Sequence, residues 1–225
     1  MEIKAVTLDV GGTLIEPWPS VGHVYAEVAA RHGLNTFSAE QLNARFKQAW
    51  RARKNFGYSR HDWEELANEI FGPDSKPSSG IFFPELYDRF AEPAAWHLFA
   101  DVVPALDALA SREIKLAVIS NWDERLRGLL HTLKLDRYFE AFAISCEVGF
   151  PKPSPVIFEH AAEKLGLPAA SILHIGDSLE MDIDGARAAG FQALQIHRQA
   201  ETPANTDIRS LAEVTARIEK LQTKN

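Results

Sequence analysis

The chain has 225 residues, of which 46% are hydrophobic, and a formal net charge of −7. This length and apolar content are typical of a globular protein with a full core, built as one domain with a large insertion or as two small domains. The negative charge gives no overall attraction to nucleic acid or to an anionic membrane, so a phosphate site would need local cations and backbone N–H groups.

Five short apolar runs predict the strands of one sheet. They cover residues 3–8, 116–119, 141–145, 172–175 and 193–196. From the second run onward they alternate with helix-like segments, a pattern typical of a parallel α/β sheet. We therefore predict an α/β core made of residues 1–16 and 98–225, with an inserted helical domain over residues 17–97.

The insertion shows helical periodicity throughout its length. One helix is predicted to begin after Ser20 and to stop near Gly33, and a loop is predicted over residues 72–80. Ser38 and Gln41 form a capping-box signature, so a second helix is predicted to begin there. Because the insertion directly follows the first strand, we interpret it as a mobile lid over the end of that strand.

Basic and aromatic side chains alternate within the insertion, and two interpretations stay open. The residues are Arg45, Phe46, Lys47, Trp50, Arg51, Arg53, Lys54, Phe56, Tyr58, Arg60 and Trp63. Such a stretch can bind nucleic acid. It is also typical of an amphipathic helix with a solvated basic face, some of whose cations meet an anionic substrate. We favour the second interpretation.

Polar residues follow the first two predicted strands of the core. Asp9 ends the first strand, within the sequence LDVGGT over residues 8–13. An aspartate carboxylate can act as a nucleophile and form an acyl phosphate that water then hydrolyses. Ser120 and Asn121 follow the second strand and offer a hydroxyl and loop N–H groups to phosphoryl oxygens. Each of these residues alone also fits an ordinary turn, so their order along the chain carries the argument.

Two later segments complete the set. Lys152 stands between two prolines and places a cation in a fixed stretch of backbone. Asp177 and Asp182 follow the fourth strand, and such hard carboxylates suit Mg²⁺, which takes one or two protein carboxylates together with phosphate and water oxygens. Co-occurrence of all four segments at successive strand ends predicts a site for phosphoryl transfer.

These segments, in this order, resemble the four motifs of the haloacid dehalogenase (HAD) superfamily, and the chain is similar to the branch of HAD-like hydrolase domain-containing proteins. The resemblance covers nearly the whole chain and implies a Rossmann-like parallel sheet with an inserted α-helical cap. It implies a hydrolase with Asp9 as nucleophile and Mg²⁺ as cofactor. The implied metal ligands are Asp9, the backbone carbonyl of Gly11, Asp177 and Asp182, and the implied catalytic and substrate contacts are Gly12, Thr13, Ser120, Asn121 and Lys152.

Gly11 departs from the family pattern. In the phosphatases of the family this position holds a second carboxylate that protonates the leaving oxygen and activates water, which is worth about 10² to 10⁴ in rate. The 2-haloacid dehalogenases and phosphonoacetaldehyde hydrolase do without it, the latter by means of a cap lysine. Glycine can also adopt backbone conformations in which a side chain at position 11 would be strained.

Because Gly11 departs from the family pattern, three functions stay open. The dehalogenases carry no metal, so the presence of Asp177 and Asp182 favours a Mg²⁺-dependent phosphatase acting on a small phosphorylated metabolite. A catalytically weak HAD-fold binding protein comes second, and a 2-haloacid dehalogenase or phosphonatase comes third. The sequence leaves the substrate and the oligomeric state open.

Location and redox context follow from what the sequence lacks. The first residues have no apolar stretch like that of a signal peptide, and no later run approaches the roughly 20 apolar residues of a membrane span. We therefore expect a cytoplasmic protein that contacts neither a membrane nor nucleic acid. The single cysteine, Cys146, excludes an internal disulfide, and we expect it to be a small buried side chain.

Overall fold

A computed structural model describes residues 2–53, 56–72, 80–198 and 207–223 of the chain. The chain divides into two compact units, one made of Met1–Ile15 and Leu98–Asn225 and the other of Glu16–His97. We call them the core unit and the insert unit. Most of the predicted loop over residues 72–80, and Lys54 of the basic and aromatic stretch, lie outside the described residues.

The core unit is built on a parallel sheet. The strands of the protein are β1 (Ala5–Leu8), β2 (Ile15–Pro17), β3 (Trp96–Leu98), β4 (Lys115–Ser120), β5 (Ala141–Ile144), β6 (Ile172–Gly176) and β7 (Gln192–Gln195). Five of them form one sheet in the order β5-β4-β1-β6-β7, and every neighbouring pair in it is parallel. The predicted α/β class and the five predicted strands are confirmed, each within two residues of the predicted bounds.

The sheet brings three strand ends to one edge. Leu8 of β1 is aligned with Val118 of β4 on one side and with Ile175 of β6 on the other. The chain fills one half of the sheet with β4 and β5 and then returns to the other half with β6 and β7. Such a reversal opens a crevice beyond the carboxyl ends of the central strands, where ligands bind in open α/β sheets.

The insert unit is helical. Its helices are α1 (Val21–Arg31), α2 (Ala39–Ala52), α3 (Arg60–Phe71) and α4 (Phe82–Arg89). The prediction for α2 is confirmed, since the Ser38 side chain accepts from the Gln41 N–H and the Gln41 side chain accepts from the Ser38 N–H. Buried apolar residues from all four helices form a core of their own, which includes Val28, Leu66 and Leu86.

The basic and aromatic stretch of the insert is partly used for packing within that unit. Arg45 donates to the carbonyl oxygen of Ile70, Arg53 pairs with Glu69, and the Arg60 guanidinium lies 5.2 Å from the ring centre of Tyr87. The short strands β2 and β3, which pair at the two ends of the insertion, were not predicted, because three residues are too few for a readable alternation.

The core unit carries the remaining helices. They are α5 (Val102–Ala110), α6 (Arg125–Thr132), α7 (Ser145–Val148), α8 (Pro155–Leu165), α9 (Gly185–Ala188) and α10 (Val214–Thr223). Ala5, Ala117, Ile119 and Ile172 of the sheet are fully buried. They belong to one apolar cluster with the buried residues of α8. The central strands are therefore mostly apolar, which is why they read as apolar runs.

The last helix of the core unit begins at Val214, and Ile208 before it forms a parallel bridge with Ile196. The prediction of a buried Cys146 is wrong. Cys146 is exposed, because it is the second residue of the one-turn helix α7 and faces away from the sheet end that buries Ser145. No helix of the described ranges is both long and apolar enough to cross a membrane.

Candidate active site

Asp9 lies at the carboxyl end of β1 and is almost entirely buried, with 7% of its surface exposed. Its N–H donates to the carbonyl oxygen of Ile175 at 2.9 Å, which continues the pairing of β1 with β6 by one residue. Its carboxylate Oδ1 accepts from Ser120 Oγ at 3.1 Å and from Lys152 Nζ at 2.7 Å. The structure thus joins three of the predicted site residues from three separate segments.

Lys152 is held between two carboxylates. The Lys152 side chain is 3% exposed, and its Nζ donates to Asp9 Oδ1 and to Asp182 Oδ1. Burial opposes the charged ammonium, but the carboxylates of Asp182 and Asp9 outweigh it and raise the pKa of Lys152 above its ordinary value. The lysine is therefore charged at every pH at which the protein is expected to work.

Asn121 fixes the backbone of this lysine. Its Oδ1 accepts from the Lys152 N–H at 2.7 Å, and its Nδ2 donates to the Lys152 carbonyl oxygen at 3.0 Å. Asn121 was predicted to contact substrate through loop N–H groups. In the structure its side-chain amide ties the loop after β4 to the loop that carries Lys152.

Both oxygens of the Asp182 carboxylate accept hydrogen bonds. Oδ1 accepts from His174 Nε2 at 3.1 Å as well as from Lys152, and Oδ2 accepts from the Ser178 N–H at 3.0 Å. Although burial opposes ionisation, Lys152 and His174 hold the pKa of Asp182 well below its ordinary value. Both oxygens already serve protein donors, which fits a supporting position beside a metal.

Sequence analysis missed His174 and Thr7. His174 is fully buried in β6, and its Nδ1 lies 2.9 Å from Oγ1 of Thr7, the residue aligned with it on β1. Burial lowers the pKa of His174, which keeps the ring neutral. In a neutral ring that donates from Nε2 to Asp182, Nδ1 is an acceptor, and the Thr7 hydroxyl donates a hydrogen bond to it. The available signal was a histidine inside an otherwise apolar run that was predicted to be a strand.

Asp177 is exposed and follows β6 directly. Partial loss of hydration, together with repulsion from Asp9 and Asp182, raises the pKa of Asp177 to about 7. One carboxylate oxygen from each of Asp9, Asp177 and Asp182 lies within 4.8 Å of the others. Clustered carboxylates repel one another, whereas a divalent cation among them makes the cluster favourable. The donor set consists of hard oxygens and fits Mg²⁺.

The two glycines after Asp9 differ in their surroundings. Gly12 has φ +78°, and a Cβ there would collide with the carboxylate of Asp177. Gly11 is not among the residues with positive φ, and a Cβ there would lie 3.3 Å from Cζ3 of Trp122. The expectation of backbone strain at position 11 is therefore wrong, and the restriction applies to position 12. Nothing in the sequence marked Trp122 as a neighbour of Gly11.

Thr13 is fully buried, so its hydroxyl does not face solvent in this structure. Its Oγ1 has no hydrogen-bond partner among the described residues, and its carbonyl oxygen accepts from Arg198. Thr13 thus connects the loop after β1 to the end of β7. Its predicted contact with substrate stays a prediction.

The comparisons with known proteins agree with this geometry. Residues 3–190 match the family model described as haloacid dehalogenase-like hydrolase, and the chain belongs to that family. Haloacid dehalogenase-like hydrolase domain-containing protein 3 of Mus musculus is 32% identical to the chain, over 87% of this chain and 82% of the mouse protein.

Two further proteins are similar to the chain. Glyceraldehyde 3-phosphate phosphatase of Methanopyrus kandleri is 29% identical, over 91% of this chain and 90% of its own. The HAD-hydrolase YfnB of Bacillus subtilis, solved bound to magnesium, superposes with a TM-score of 0.80 at 17% identity, over 97% of this chain and 99% of its own. The second likeness concerns the fold alone.

Proposed function

We propose that the chain is a Mg²⁺-dependent phosphatase that hydrolyses a small phosphorylated metabolite through an aspartyl phosphate on Asp9. The observation that carries the proposal is the cluster of Asp9, Asp177 and Asp182, whose carboxylate oxygens lie within 4.8 Å of one another beside the buried Lys152. Family membership, and the phosphatase activity in the name of the Methanopyrus kandleri relative, support it.

The residues divide the chemistry as follows. An oxygen of the Asp9 carboxylate attacks phosphorus, the bond from phosphorus to the leaving-group oxygen breaks, and the leaving group departs with the bonding electron pair. Water then attacks the same phosphorus, which restores the Asp9 carboxylate and releases inorganic phosphate and a proton. Burial raises the pKa of Asp9, and Lys152 opposes this by favouring the ionised carboxylate. Lys152 and the Ser120 hydroxyl, which both donate to Asp9, would donate to phosphoryl oxygens of the substrate.

Asp9 and Asp177, with the carbonyl oxygen of Gly11, would hold the cation, and Asp182 would support this set from behind. When bound, Mg²⁺ neutralises the carboxylates and the phosphoryl oxygens that meet at the strand edge. Asp177 in its charged form is needed for that binding.

Phosphate release from a panel of phosphorylated metabolites, with and without Mg²⁺, tests the proposal. Asp9→Asn preserves the shape of the side chain but removes the nucleophilic charge, so we expect it to abolish turnover, and beryllium fluoride is expected to label the wild-type carboxylate. The matched control is Asp88→Asn, which alters an exposed aspartate of α4 and should retain full activity. Turnover by Asp9→Asn, or activity that survives complete chelation, would contradict the proposal.

The absence of a carboxylate at position 11 favours a second candidate, a HAD-fold protein that binds a phosphorylated ligand with little turnover. A panel of 2-haloacids scored for halide release, run beside the phosphate esters, separates the remaining possibilities. Ligand binding without release of either product supports the binding protein. Halide release independent of Mg²⁺ supports the dehalogenase.

A further inference from the structure

We propose that Trp122 forms the leaving-group side of the site, so that the substrate is a phosphate ester whose leaving group is flat and apolar and departs without protonation by the protein. This inference rests on the proposed function. It comes from one contact, the 3.3 Å between Cζ3 of the Trp122 indole and the position that a Cβ of residue 11 would occupy.

Position 11 is where the family's phosphatases present the carboxylate that protonates the leaving oxygen. In this chain the side chain that reaches this position belongs to another segment. Cζ3, on the edge of the Trp122 indole, lies 3.3 Å from where a Cβ of residue 11 would be. An indole carbon edge carries no acidic proton, and it attracts the face of another aromatic ring.

The backbone of Trp122 is held by the side chain of Ser145. Its N–H donates to Ser145 Oγ at 3.0 Å, and its carbonyl oxygen accepts from the same hydroxyl at 3.0 Å, which attaches it to the end of β5. The two residues before it are Ser120, which donates to Asp9, and Asn121, which holds the backbone of Lys152. Three consecutive residues, the last of β4 and the two that follow it, thus lie against the nucleophile, the lysine loop and position 11.

The backbone at position 11 does not itself exclude a side chain, because Gly11 does not have positive φ. A side chain there would instead press on the indole, which would have to move by a few tenths of an ångström. Gly11 and Trp122 are therefore complementary. The glycine leaves room for the ring, and the ring takes the surface that a carboxylate would otherwise present to the leaving group.

The direct test uses non-hydrolysable probes, so that binding is measured apart from turnover. Phenylphosphonate and methylphosphonate carry the same charged group and differ in the ring. With Mg²⁺ present, we expect calorimetry to show that the wild-type protein binds phenylphosphonate about two- to tenfold more tightly than methylphosphonate, the range of one aromatic contact. Inorganic phosphate serves as the internal reference for an intact phosphate site.

Trp122→Ala is expected to bring the phenyl-to-methyl affinity ratio close to one while inorganic phosphate still binds. Trp122→Phe should retain most of the ratio, because a ring is still present. Tyr138→Ala removes another aromatic side chain of the core unit, one that bonds to Asp107, and is expected to leave the ratio unchanged. A structural role alone would weaken binding of all three ligands equally.

Gly11→Ala provides a second route should Trp122→Ala fail to fold. Its added methyl group presses on the ring edge and should lower the phenyl-to-methyl ratio. A wild-type ratio near one, or a ratio unchanged in both Trp122→Ala and Gly11→Ala, would overturn the inference and leave the proposed function standing. If the wild-type protein binds neither the phosphonates nor inorganic phosphate, the proposed function itself fails.

Discussion

Thr7, His174 and Asp182 form a buried chain of hydrogen bonds that ends at Lys152. Together, Thr7 and His174 fix the Asp182 carboxylate that holds the lysine. A buried hydrogen bond to a charged group contributes about 1.5 to 3 kcal/mol, so this chain is expected to affect both stability and the position of Lys152.

Two substitutions of His174 separate its two hydrogen bonds. In His174→Gln the amide nitrogen can take the place of Nε2 and donate to Asp182, whereas the shorter side chain of His174→Asn reaches only toward Thr7. We expect His174→Asn to lower kcat/KM about tenfold and stability by about 1.5 to 3 kcal/mol, and His174→Gln to retain most of both. Phosphate release and denaturant unfolding measure these effects. Equal losses in the two variants would show that His174 only fills space.

Gly11 and Gly12 are expected to differ in how a methyl group at each position affects Mg²⁺ binding. Gly12→Ala places a methyl group in a backbone conformation that costs an L-residue about 1 to 2 kcal/mol and drives it into the Asp177 carboxylate. We expect calorimetry to show that Gly12→Ala greatly weakens Mg²⁺ binding and that Gly11→Ala does not. Equal Mg²⁺ affinity in the two variants would remove Asp177 from the proposed metal site.

At the scale of elements, Asp101 joins the start of α5 to the C-terminal part of the chain. Its Oδ2 accepts from Arg198 Nη1 at 2.6 Å, from Ser210 Oγ at 2.6 Å and from the Leu211 N–H at 2.7 Å. Arg198 also donates to the carbonyl oxygen of Thr13. The end of β7, the start of α5 and the turn before α10 are therefore fastened together behind the loop that follows Asp9.

This cluster predicts a pH dependence of stability. Burial opposes ionisation of Asp101, but its bonds to Arg198 and Ser210 outweigh it and hold the pKa of Asp101 below its ordinary value. The folded state therefore favours the charged form, and the resulting stabilisation is complete above the unfolded pKa of about 4 and is lost as the pH falls through the lower folded pKa. We expect Asp101→Asn to destabilise the protein at pH 7 and to have progressively less effect below about pH 4.

Denaturant unfolding of both proteins between pH 3 and pH 8 measures the difference in free energy. The control is Asp107→Asn. Asp107 lies on α5, and its exposed side chain accepts from the Tyr138 hydroxyl, so this substitution should change the free energy of unfolding little at any pH. A destabilisation by Asp101→Asn that is constant across this range would argue against the ionised form of Asp101 as its source.

At the scale of the whole molecule, the two units have separate cores, and the insertion interrupts the core unit six residues after Asp9. This point of insertion supports our proposal that the insert unit acts as a cap that selects substrate. Specificity in such an arrangement would come from the insert and chemistry from the core unit.

Replacing residues 17–97 with a short glycine and serine linker tests this division. We expect the shortened chain to fold, because the sheet and its helices belong to the core unit, and to discriminate less between small and bulky phosphate esters. The ratio of kcat/KM for the two ester classes measures the effect, with Mg²⁺ binding as the check on an intact site. An unchanged ratio in the shortened chain would end the cap proposal.

The sequence by itself determined the strands of the core and the residues at their ends. Apolar runs with polar residues directly after them identified β1, β4 and β6, and with them Asp9, Ser120 and Asp177. The capping box at Ser38 was equally readable. These signals are local, since a buried parallel strand needs a continuous apolar run and a helix start needs a side-chain acceptor at a fixed spacing.

Only the tertiary structure decided which side chains meet. The pairing of Thr7 with His174 depends on the register of β1 against β6, and the contact of Trp122 with position 11 depends on β4 lying beside β1. The exposure of Cys146 depends on how a one-turn helix leaves the sheet. Contacts between residues more than a hundred positions apart arise from the packing of the sheet, which no local pattern encodes.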